Sequence, residues 1–146
     1  MSAAVRHGYS FWVVIADLDN LKAVNDTYGH DAGDTVLKEF AEILKRSVRS
    51  SDICGRTGGE EFIMIFTHAD ECNVGIIVAR VLRKLREHGF SFGTKTVQVT
   101  ASFGIAGYQG KGLPEFAKLI NQADAALYVA KRGGRNRIEV TPTIQA

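Results

Sequence analysis

The sequence predicts one α+β domain, in which helices pack on a mixed central sheet. Three observations support this fold class. Strand-like segments alternate with long amphipathic helical segments, an internal hairpin interrupts that alternation, and 146 residues fit the length of a single domain. The sequence shows no repeat, linker or low-complexity segment. We therefore expect one continuous domain over residues 1–146.

The first half of the chain predicts one strand and two helices. Residues 9–16 are rich in Phe, Trp, Val and Ile, a composition typical of a strand that is buried on both faces. A short helix follows and reaches about Tyr28, where Gly29 and His30 break it. Apolar residues then recur at helical spacing, which predicts a long amphipathic helix over residues 31–49.

A hairpin and a second long helix follow. Residues 52–56 and 61–66 read as strands, and the paired glycines between them are typical of a tight turn. Apolar residues at helical spacing predict a helix over residues 69–88, with Gly89 as its stop.

The remaining segment predicts two strands, a helix and an edge strand. Alternating apolar and polar residues over 97–105 indicate a strand, with a shorter partner at 90–92. A third long helix runs over residues 116–132, and Gly133 and Gly134 cap it. Residues 137–141 form a last strand at the edge of the sheet.

Composition excludes several classes of protein. Hydrophobic residues make up 45% and charged residues 23%, as in a globular protein with a core. The longest apolar stretch, residues 11–16, is far shorter than the roughly 20 residues of a membrane-spanning helix. No signal-peptide hydrophobic region follows the N-terminus. Cys54 and Cys72 read as free thiols of a reducing compartment, so we expect a cytoplasmic domain without direct membrane contact.

Charge is distributed unevenly along the chain. The first 73 residues carry 7 basic and 12 acidic side chains, whereas the last 73 carry 11 and 4. If the fold brings the halves together, one cleft could bind both a metal and a polyphosphate. Solvated charged faces explain the asymmetry equally well and, on asymmetry alone, are the preferred interpretation. No basic run is dense enough to indicate nucleic-acid binding.

Three polar clusters lie at the ends of predicted elements. Asp17 and Asp19 follow the first strand and are either turn residues or ligands of a hard cation. Glu60 and Glu61 are adjacent acids at a hairpin tip and repel each other unless a cation offsets their charge. Because neighbouring strand residues point to opposite faces, only one of them should share a site with Asp17.

The third cluster is basic. Lys131 and Arg135 flank the glycine turn and either complement a helix C-terminus or clamp a polyphosphate. Acids that can hold Mg²⁺ together with cations that can hold phosphate oxygens suit phosphoryl or nucleotidyl transfer. The sequence contains no GxxxxGK[ST] phosphate loop, GxGxxG fingerprint or glycine-flanked serine nucleophile.

Five ordered segments resemble the GGDEF family, the diguanylate cyclases. Residues 58–62 read GGEEF, a common form of the family signature. The other segments are DLDNLKAVND at 17–26, YGHDAGD at 28–34, SFGIA at 102–106, and ADAALY at 123–128 with AK at 130–131 and GRN at 134–136. The resemblance runs from about Phe11 to Asn136 without a large gap.

The resemblance implies a fold and an activity. The fold would be similar to a nucleotide cyclase or polymerase palm, with a ferredoxin-like βααββαβ core. The activity would be the condensation of two GTP molecules into cyclic di-GMP and two pyrophosphates. Each domain would hold one GTP, so a homodimer would be needed for catalysis. The domain would also be one part of a longer protein that carries a regulatory domain and could be anchored in a membrane.

The resemblance also implies metal ligands. Asp17 and Glu60 would bind through their side chains and Leu18 through its carbonyl. The cofactor would be Mg²⁺, or Mn²⁺, with two ions per active site. Glu60 would also activate the 3′-hydroxyl of GTP.

Substrate contacts follow from the same motifs. Asn20 and Leu21 would offer backbone N–H groups to the terminal phosphates, which Lys131 and Arg135 would clamp. Gly58 and Gly59 would let the backbone approach the nucleotide, since a side chain there would hold it away.

Guanine recognition would fall to Asn25 and Asp34. A carboxylate accepts hydrogen bonds from the N–H groups of guanine but meets a lone pair in adenine. Without the resemblance, Asp34 would be read as a first-turn helix acid and Asn25 as a helix-end residue.

Product inhibition is implied by an RxxD pattern. Arg49 and Asp52 lie upstream of the glycine pair at the spacing of the family's inhibitory site, where dimers of cyclic di-GMP bind. Arg80 on the following helix is a further candidate. Arg49 could otherwise be only a helix-end cation.

The sequence departs from the family at two places. Leu21 stands where the family usually has Phe, a mild change if that position packs and offers its N–H. Residues 1–10 do not resemble the family's leader helix, so we expect an excised domain. The resemblance supports the family assignment of this domain more strongly than its activity in isolation, because the leader helix can help to position the dimer. The alternatives are a non-catalytic receptor for GTP or cyclic di-GMP on the same fold and a structural dimerisation module.

Overall fold

The structure, a computed structural model, describes residues 9–142 and 144–145 of the chain. Its helices are α1 (Leu21–Tyr28), α2 (His30–Ser47), α3 (Glu71–Glu87) and α4 (Phe116–Arg132). Its strands are β1 (Tyr9–Leu18), β2 (Ile53–Gly58), β3 (Glu61–Thr67), β4 (Phe90–Phe92), β5 (Lys95–Val97), β6 (Ala101–Gly110), β7 (Arg137–Val140) and β8 (Ile144–Gln145). The leader segment that the sequence analysis considered lies mainly in residues 1–8, outside the described residues.

The sheet is mixed, as the sequence predicts. Its strand order is β2-β3-β1-β6-β7, and β8 pairs with the far end of β6. The central strand β1 runs antiparallel to both β3 and β6, whereas β7 and β8 are parallel to β6. The predicted α+β class with a palm-like core is confirmed.

The central strand is buried on both faces because helices cover both sides of the sheet. Trp12, Val14 and Ala16 belong to a core that includes the inner faces of α2 and α3. Val13 and Ile15 point the other way and pack against α4. Alternate residues of a strand face opposite sides of the sheet. When helices cover both sides, both sets of side chains are buried, which explains why this strand is apolar almost throughout.

The strands differ from the prediction in several places. β1 continues to Leu18, so Asp17 lies within the sheet, opposite Glu61 on one side and Ser102 on the other. Residues 95–97 pair with 90–92 in a separate hairpin, and the long strand β6 starts only at Ala101. A further strand, β8, was not predicted.

The alternation in β6 does not mark an exposed face. Ser102 and Gly104 are buried like their apolar neighbours because α4 covers that side of the strand. A Cβ atom on Gly104 would overlap backbone atoms of Ala123 and Leu127. Glycine at this position therefore lets α4 approach the sheet.

The helices agree with the sequence to within a few residues. α2 ends at Ser47, two residues earlier than predicted, and α3 begins at Glu71 after the Asp70 side chain, which accepts a hydrogen bond of 2.8 Å from the Asn73 N–H. Such a cap satisfies a free backbone donor of the first turn. In the described part of the chain, no helix combines the length and apolar character needed to cross a bilayer.

Candidate active site

The first acidic side chain of the candidate site lies at the end of the central strand. Asp17 is only 6% exposed. Its Oδ2 atom lies 2.6 Å from the Lys131 ammonium nitrogen on α4. The next residue, Leu18, donates its N–H to the Glu60 carbonyl over 3.2 Å, which places its backbone beside the β2–β3 turn.

The second acidic side chain lies in that turn. Gly59 has a φ of +51°, a conformation that side chains with a Cβ rarely adopt. Arg56 closes the turn by donating from Nε to the Gly59 carbonyl over 2.7 Å. Among the described residues, apart from the chain neighbours, no heavy atom lies within 4 Å of the place that a Cβ atom would take at Gly58 or at Gly59. Crowding by the protein therefore does not explain these glycines.

Glu60 and Asp17 form a close acid pair. Partial burial, the negative charge of Asp17 and a hydrogen bond with that residue raise the pKa of Glu60, and the positive charges of Lys131 and Arg135 partly offset the rise. Burial is the largest cause of this rise, and the added effect of Asp17 indicates that the two carboxylates lie close together.

Glu61 has different surroundings. Partial burial raises its pKa, and the charges of Asp124 and Asp17 add to the rise while Lys131 opposes it. Asp17 thus influences both glutamates electrostatically, but its hydrogen bond is with Glu60. Glu61 is also the register partner of Asp17, so the structure does not separate the two glutamates as expected, and the expectation that only one of them shares a site with Asp17 stays a prediction.

The donor set fits a hard divalent cation. Among the described residues, no three His, Cys, Asp or Glu side chains form a group able to hold a metal. Asp17 and Glu60 supply two carboxylates, and backbone carbonyls such as that of Leu18, water and phosphate oxygens would complete the set. Mg²⁺ in proteins is commonly bound in this way, by one or two carboxylates and substrate phosphates.

Asp19 is engaged by protein donors. It is 3% exposed, and its Oδ1 atom accepts from Ser102 Oγ over 2.7 Å. Its Oδ2 atom accepts from Thr100 Oγ1 over 2.7 Å and from the Asn136 N–H over 2.9 Å. These contacts favour a structural role for Asp19, and the metal-ligand alternative stays untested.

The predicted phosphate-binding groups come from two parts of the chain, the start of α1 and the end of α4 with the turn that follows it. Asn20 is exposed and adopts a left-handed conformation, with a φ of +56°, directly before α1. Its side chain forms no capping bond, so it leaves the first-turn N–H groups of α1 to other acceptors. Lys131 contacts Asp17, and the positive charge of Arg135 acts on Glu60.

A cavity of about 380 Å³ lies between α2 and the β2–β3 hairpin. Asp34 is one of its lining residues, and the apolar ones include Leu37, Ala41 and Phe62. Three cations also line it, Lys38, Lys45 and Arg56. A largely apolar slot that includes a carboxylate can take a planar base that offers N–H donors. Burial and the nearby Asp52 raise the pKa of the Cys54 thiol, while Lys45 opposes the rise, so little of it is the reactive thiolate.

Asn25 does not line that cavity. Its side chain lies between α1 and α2 against Gly33, where a Cβ atom would overlap Asn25 Oδ1. This oxygen is buried and has no hydrogen-bond partner within the described residues. A buried acceptor without a partner is costly and is typical of a functional position.

The predicted inhibitory residues lie together after α2. Arg49 binds the Asp52 carboxylate through Nε and Nη2, at 2.9 Å for the shortest contact, and also donates to the Thr67 carbonyl over 3.1 Å. The Asp52 carboxylate raises the pKa of Arg49. Because the Asp52 side chain has no exposed surface, a guanine could reach it only after Arg49 moves.

Arg80 completes this cluster from α3. Its Nη2 atom donates to the Ser47 carbonyl at the end of α2 over 3.0 Å. Its Nε atom is buried without a hydrogen-bond partner among the described groups. The RxxD pattern and Arg80 thus converge on one surface.

Sequence reasoning missed three residues that support the site. Arg56 closes the glycine turn, and Arg86 contacts Asn136 after α4. The GRN segment was part of the family pattern, but its asparagine was given no role. The Arg86–Asn136 contact joins residues 50 positions apart, so no local periodic signal could have revealed it, whereas Arg56 contacts a residue three positions away.

Comparison with known proteins gives a consistent result. The model of the family described as "Diguanylate cyclase, GGDEF domain" matches residues 1–137. Diguanylate cyclase A of Treponema denticola is 36% identical over 129 residues, which cover 88% of this chain and 34% of that protein. This chain therefore spans about a third of the curated relative's length.

Two solved structures have a similar fold. Diguanylate cyclase SiaD of Pseudomonas aeruginosa, solved with its activator SiaC, has a TM-score of 0.87 and 38% identity, covering 94% of this chain and 52% of that one. The GGDEF domain of DgcB from Caulobacter crescentus, solved in complex with c-di-GMP, has a TM-score of 0.86 and 31% identity. That match covers 94% of this chain and 81% of the DgcB chain.

Proposed function

This chain belongs to the GGDEF domain family of diguanylate cyclases, and we propose that it condenses two GTP molecules into cyclic di-GMP. The observation that carries the proposal is the acid pair of Asp17 and Glu60 at the end of the central strand, with Lys131 bound to Asp17 over 2.6 Å and the positive charge of Arg135 acting on Glu60. Carboxylates for a metal and cations for a polyphosphate are the groups that nucleotidyl transfer needs.

The reaction forms two phosphodiester bonds. In each step, the 3′-oxygen of one GTP attacks the α-phosphorus of the other, and the bond between that phosphorus and the α,β-bridging oxygen breaks, so that the β- and γ-phosphates become the leaving group. The 3′-hydroxyl proton passes to the Glu60 carboxylate, and pyrophosphate leaves. Because each domain holds one GTP, two domains must face each other across a two-fold axis.

Phosphate binding is assigned to groups on both sides of Asp17. Lys131 and Arg135 neutralise the phosphate oxygens, and the backbone N–H groups at Asn20 and Leu21 donate to the terminal phosphates. Helix N-termini bind phosphates well because their first N–H groups point at the ligand. The left-handed Asn20 and its uncapped helix support this assignment.

Guanine binding is assigned to the cavity at α2. The Asp34 carboxylate would accept from the N1–H and N2–H groups of the base. Asn25 lies outside the cavity against Gly33, so its buried, unpartnered oxygen would contact the base only after the Asn25 side chain turns toward it. Adenine presents a lone pair at N1, so a carboxylate there disfavours it. Gly58 and Gly59 keep the backbone open to the nucleotide.

Two divalent cations, Mg²⁺ or Mn²⁺, are proposed as cofactors. Asp17, Glu60 and the Leu18 carbonyl would hold them. When bound, such ions lower the pKa of the 3′-hydroxyl and neutralise charge on the phosphates.

Feedback by the product is proposed at Arg49, Asp52 and Arg80. A guanidinium can stack on guanine and bind phosphate, and the buried carboxylate can accept from guanine once its arginine moves. The convergence of the three side chains on one surface supports this assignment.

The function is tested by GTP turnover with Mg²⁺ over a series of protein concentrations, with products separated by chromatography. While monomers dominate, the rate should rise with about the square of concentration. Glu60→Gln should abolish synthesis and leave the melting temperature within a few degrees. Glu87→Gln, on the exposed face of α3, is the matched control and should retain full activity.

The outcomes separate the proposed functions. Normal turnover by the Glu60→Gln variant would contradict the assignment. Binding of GTP without product, in the presence of a phosphodiesterase that removes cyclic di-GMP, would favour the non-catalytic receptor. Dimers that bind no nucleotide would favour the structural module.

A further inference from the structure

The turn after α4 has an unusual backbone. Arg135 and Asn136 are consecutive residues with positive φ angles, +64° and +51°, and they follow Gly134 at +115°. Residues with a Cβ atom rarely adopt the left-handed conformation, and two in succession are rarer. Part of the turn follows from the end of the helix, where the Arg135 N–H donates to the Ala130 carbonyl over 2.9 Å.

Asn136 is held at three atoms by two residues that are distant in sequence. Its backbone N–H donates to Asp19 Oδ2 over 2.9 Å. Arg86 on α3 donates from Nε to the side-chain Oδ1 over 2.8 Å and from Nη2 to the backbone carbonyl over 3.1 Å. A guanidinium that binds two acceptors fixes direction as well as distance.

The Asp19 end of this arrangement is itself rigid. Its carboxylate is buried and also accepts from Ser102 and Thr100, and its backbone N–H donates to the Thr100 carbonyl over 2.9 Å. Asp19 lies two residues after Asp17 in the chain. The turn that carries Arg135 is therefore tied to the same strand end that carries the acid pair.

We propose that Asp19 and Arg86 are positioning residues that hold Asn136 from two sides and so aim Arg135 at the substrate phosphates. The proposal rests on the proposed function, since it takes a nucleoside triphosphate as the ligand. Arg135 directly precedes Asn136, and its backbone is held by the bond from its own N–H to the Ala130 carbonyl, so contacts that fix Asn136 also fix the direction in which the Arg135 side chain leaves the turn. Arg86 contacts Asn136 from α3, whose sequence lies outside the predicted catalytic motifs.

A purely stabilising link between α3 and the turn is the competing explanation. It predicts that loss of Arg86 weakens all ligands equally or none. A positioning role predicts a selective loss for ligands that carry a polyphosphate. The two are separated by comparing a non-reactive GTP analogue with an α,β-methylene bridge against GMP, which lacks the β- and γ-phosphates.

The test uses Arg86→Ala and Arg86→Lys, with Arg83→Ala as the matched control on the same helix. Arg83 is 65% exposed in its side chain and makes only a 3.9 Å contact with Glu87. We expect Arg86→Ala to weaken the GTP analogue about tenfold by calorimetry, GMP less than twofold, and Arg83→Ala to change neither. Arg86→Lys keeps the charge but loses the two-acceptor geometry, so its affinity for the GTP analogue should lie between those of Arg86→Ala and Arg83→Ala.

Two further readouts do not depend on turnover. The Asn136 amide hydrogen is protected by Asp19, so its exchange with solvent, followed by NMR, should accelerate at least tenfold in Arg86→Ala. Glycine adopts the left-handed conformation without strain. In an Asn136→Gly background, the loss caused by Arg86→Ala should therefore shrink to about threefold or less.

Several results would overturn the proposal. They are unchanged binding of the GTP analogue in Arg86→Ala, an equal loss for GMP, and a wild-type protein that binds no triphosphate. A wild-type protein that binds the analogue in an Arg86-dependent manner but makes no cyclic di-GMP would uphold the positioning role and refute the proposed catalytic function. The melting temperatures of Arg86→Lys and Arg83→Ala show whether each variant is folded.

Discussion

At the scale of single residues, Gly33 shows how a missing side chain shapes the proposed base-binding region. It lies in the first turns of α2, and the Asn25 amide occupies the space that a Cβ atom would take. Asn25 Oδ1 is buried there without a partner. The position of one proposed guanine-binding side chain therefore depends on glycine at another position.

Replacing Gly33 by alanine should displace Asn25. We expect a loss of about 1–3 kcal/mol of stability from overpacking and a several-fold higher KM for GTP. Gly75→Ala is the matched control, because Gly75 is also helical, in α3, and has open space at its Cβ position. That change should stabilise the helix by about 0.5–1 kcal/mol and leave KM unchanged.

Chemical denaturation and GTP kinetics on both variants check this prediction. Equal changes in the free energy of unfolding of Gly33→Ala and Gly75→Ala would show that the Asn25 side chain moves aside at little cost. An unchanged KM together with reduced stability would mean that Asn25 does not contact the nucleotide.

Asp17 and Asp19 show how far sequence alone could reach at this scale. Both belong to the same short acidic motif, and both read as possible cation ligands. In the structure Asp17 belongs to the acid pair, whereas Asp19 accepts hydrogen bonds from three protein donors. That difference depends on Ser102 and Asn136, which are more than 80 positions away, so no local pattern could reveal it.

At the scale of elements, helix positions were predictable and strand environments were not. The long helix of residues 30–47 follows from its apolar spacing alone. The alternation in β6 was read correctly as a strand but placed four residues too early, because residues 95–97 pair with β4 instead. Whether Ser102 faces solvent or a helix depends on where α4 packs, which is not encoded in the strand itself.

The segment between α2 and β2 yields an element-scale prediction on regulation. Arg49→Ala should raise the concentration of cyclic di-GMP that half-inhibits turnover by at least tenfold, because the proposed site loses its guanidinium. It should also cost about 1–3 kcal/mol of stability, since the buried Asp52 carboxylate loses a donor. Initial rates at several added product concentrations measure the first effect, and chemical denaturation measures the second.

Arg46→Ala provides the control. Arg46 is an exposed cation in the last turn of α2, close in sequence to Arg49 but without a contact to Asp52 among the described hydrogen bonds and ion pairs. An inhibition curve that shifts equally in both variants would indicate a general charge effect. A curve that is unchanged in Arg49→Ala would remove the proposed inhibitory site.

At the scale of the whole molecule, the uneven charge of the sequence has a structural counterpart. Asp17 and Glu60 come from the acidic half of the chain, and Lys131 and Arg135 come from the basic half. The fold brings the two groups together at the end of the central strand. The central position of β1 explains the meeting, because β3 and β6 flank it and α4 packs on it. The asymmetry alone could not distinguish this arrangement from two solvated faces.

In the proposed function each domain holds one GTP, so a cyclic product with two new bonds would need two domains. This leads to a prediction for mixtures of wild type with the Glu60→Gln variant. In a mixed pair, only one 3′-hydroxyl has a functional Glu60, so one bond forms and one pyrophosphate leaves. Excess variant should therefore suppress cyclic di-GMP and produce the linear dinucleotide pppGpG.

The measurement is chromatography of products at constant wild-type concentration and increasing variant concentration. Glu87→Gln, added in the same amounts, should increase cyclic product because its pairs with wild type are fully competent. Cyclic di-GMP that stays proportional to wild-type protein, whatever is added, would mean that one domain completes both bonds. The site described at β1 would then need a second nucleotide position within the same chain, and the linear intermediate is the species that decides between the two arrangements.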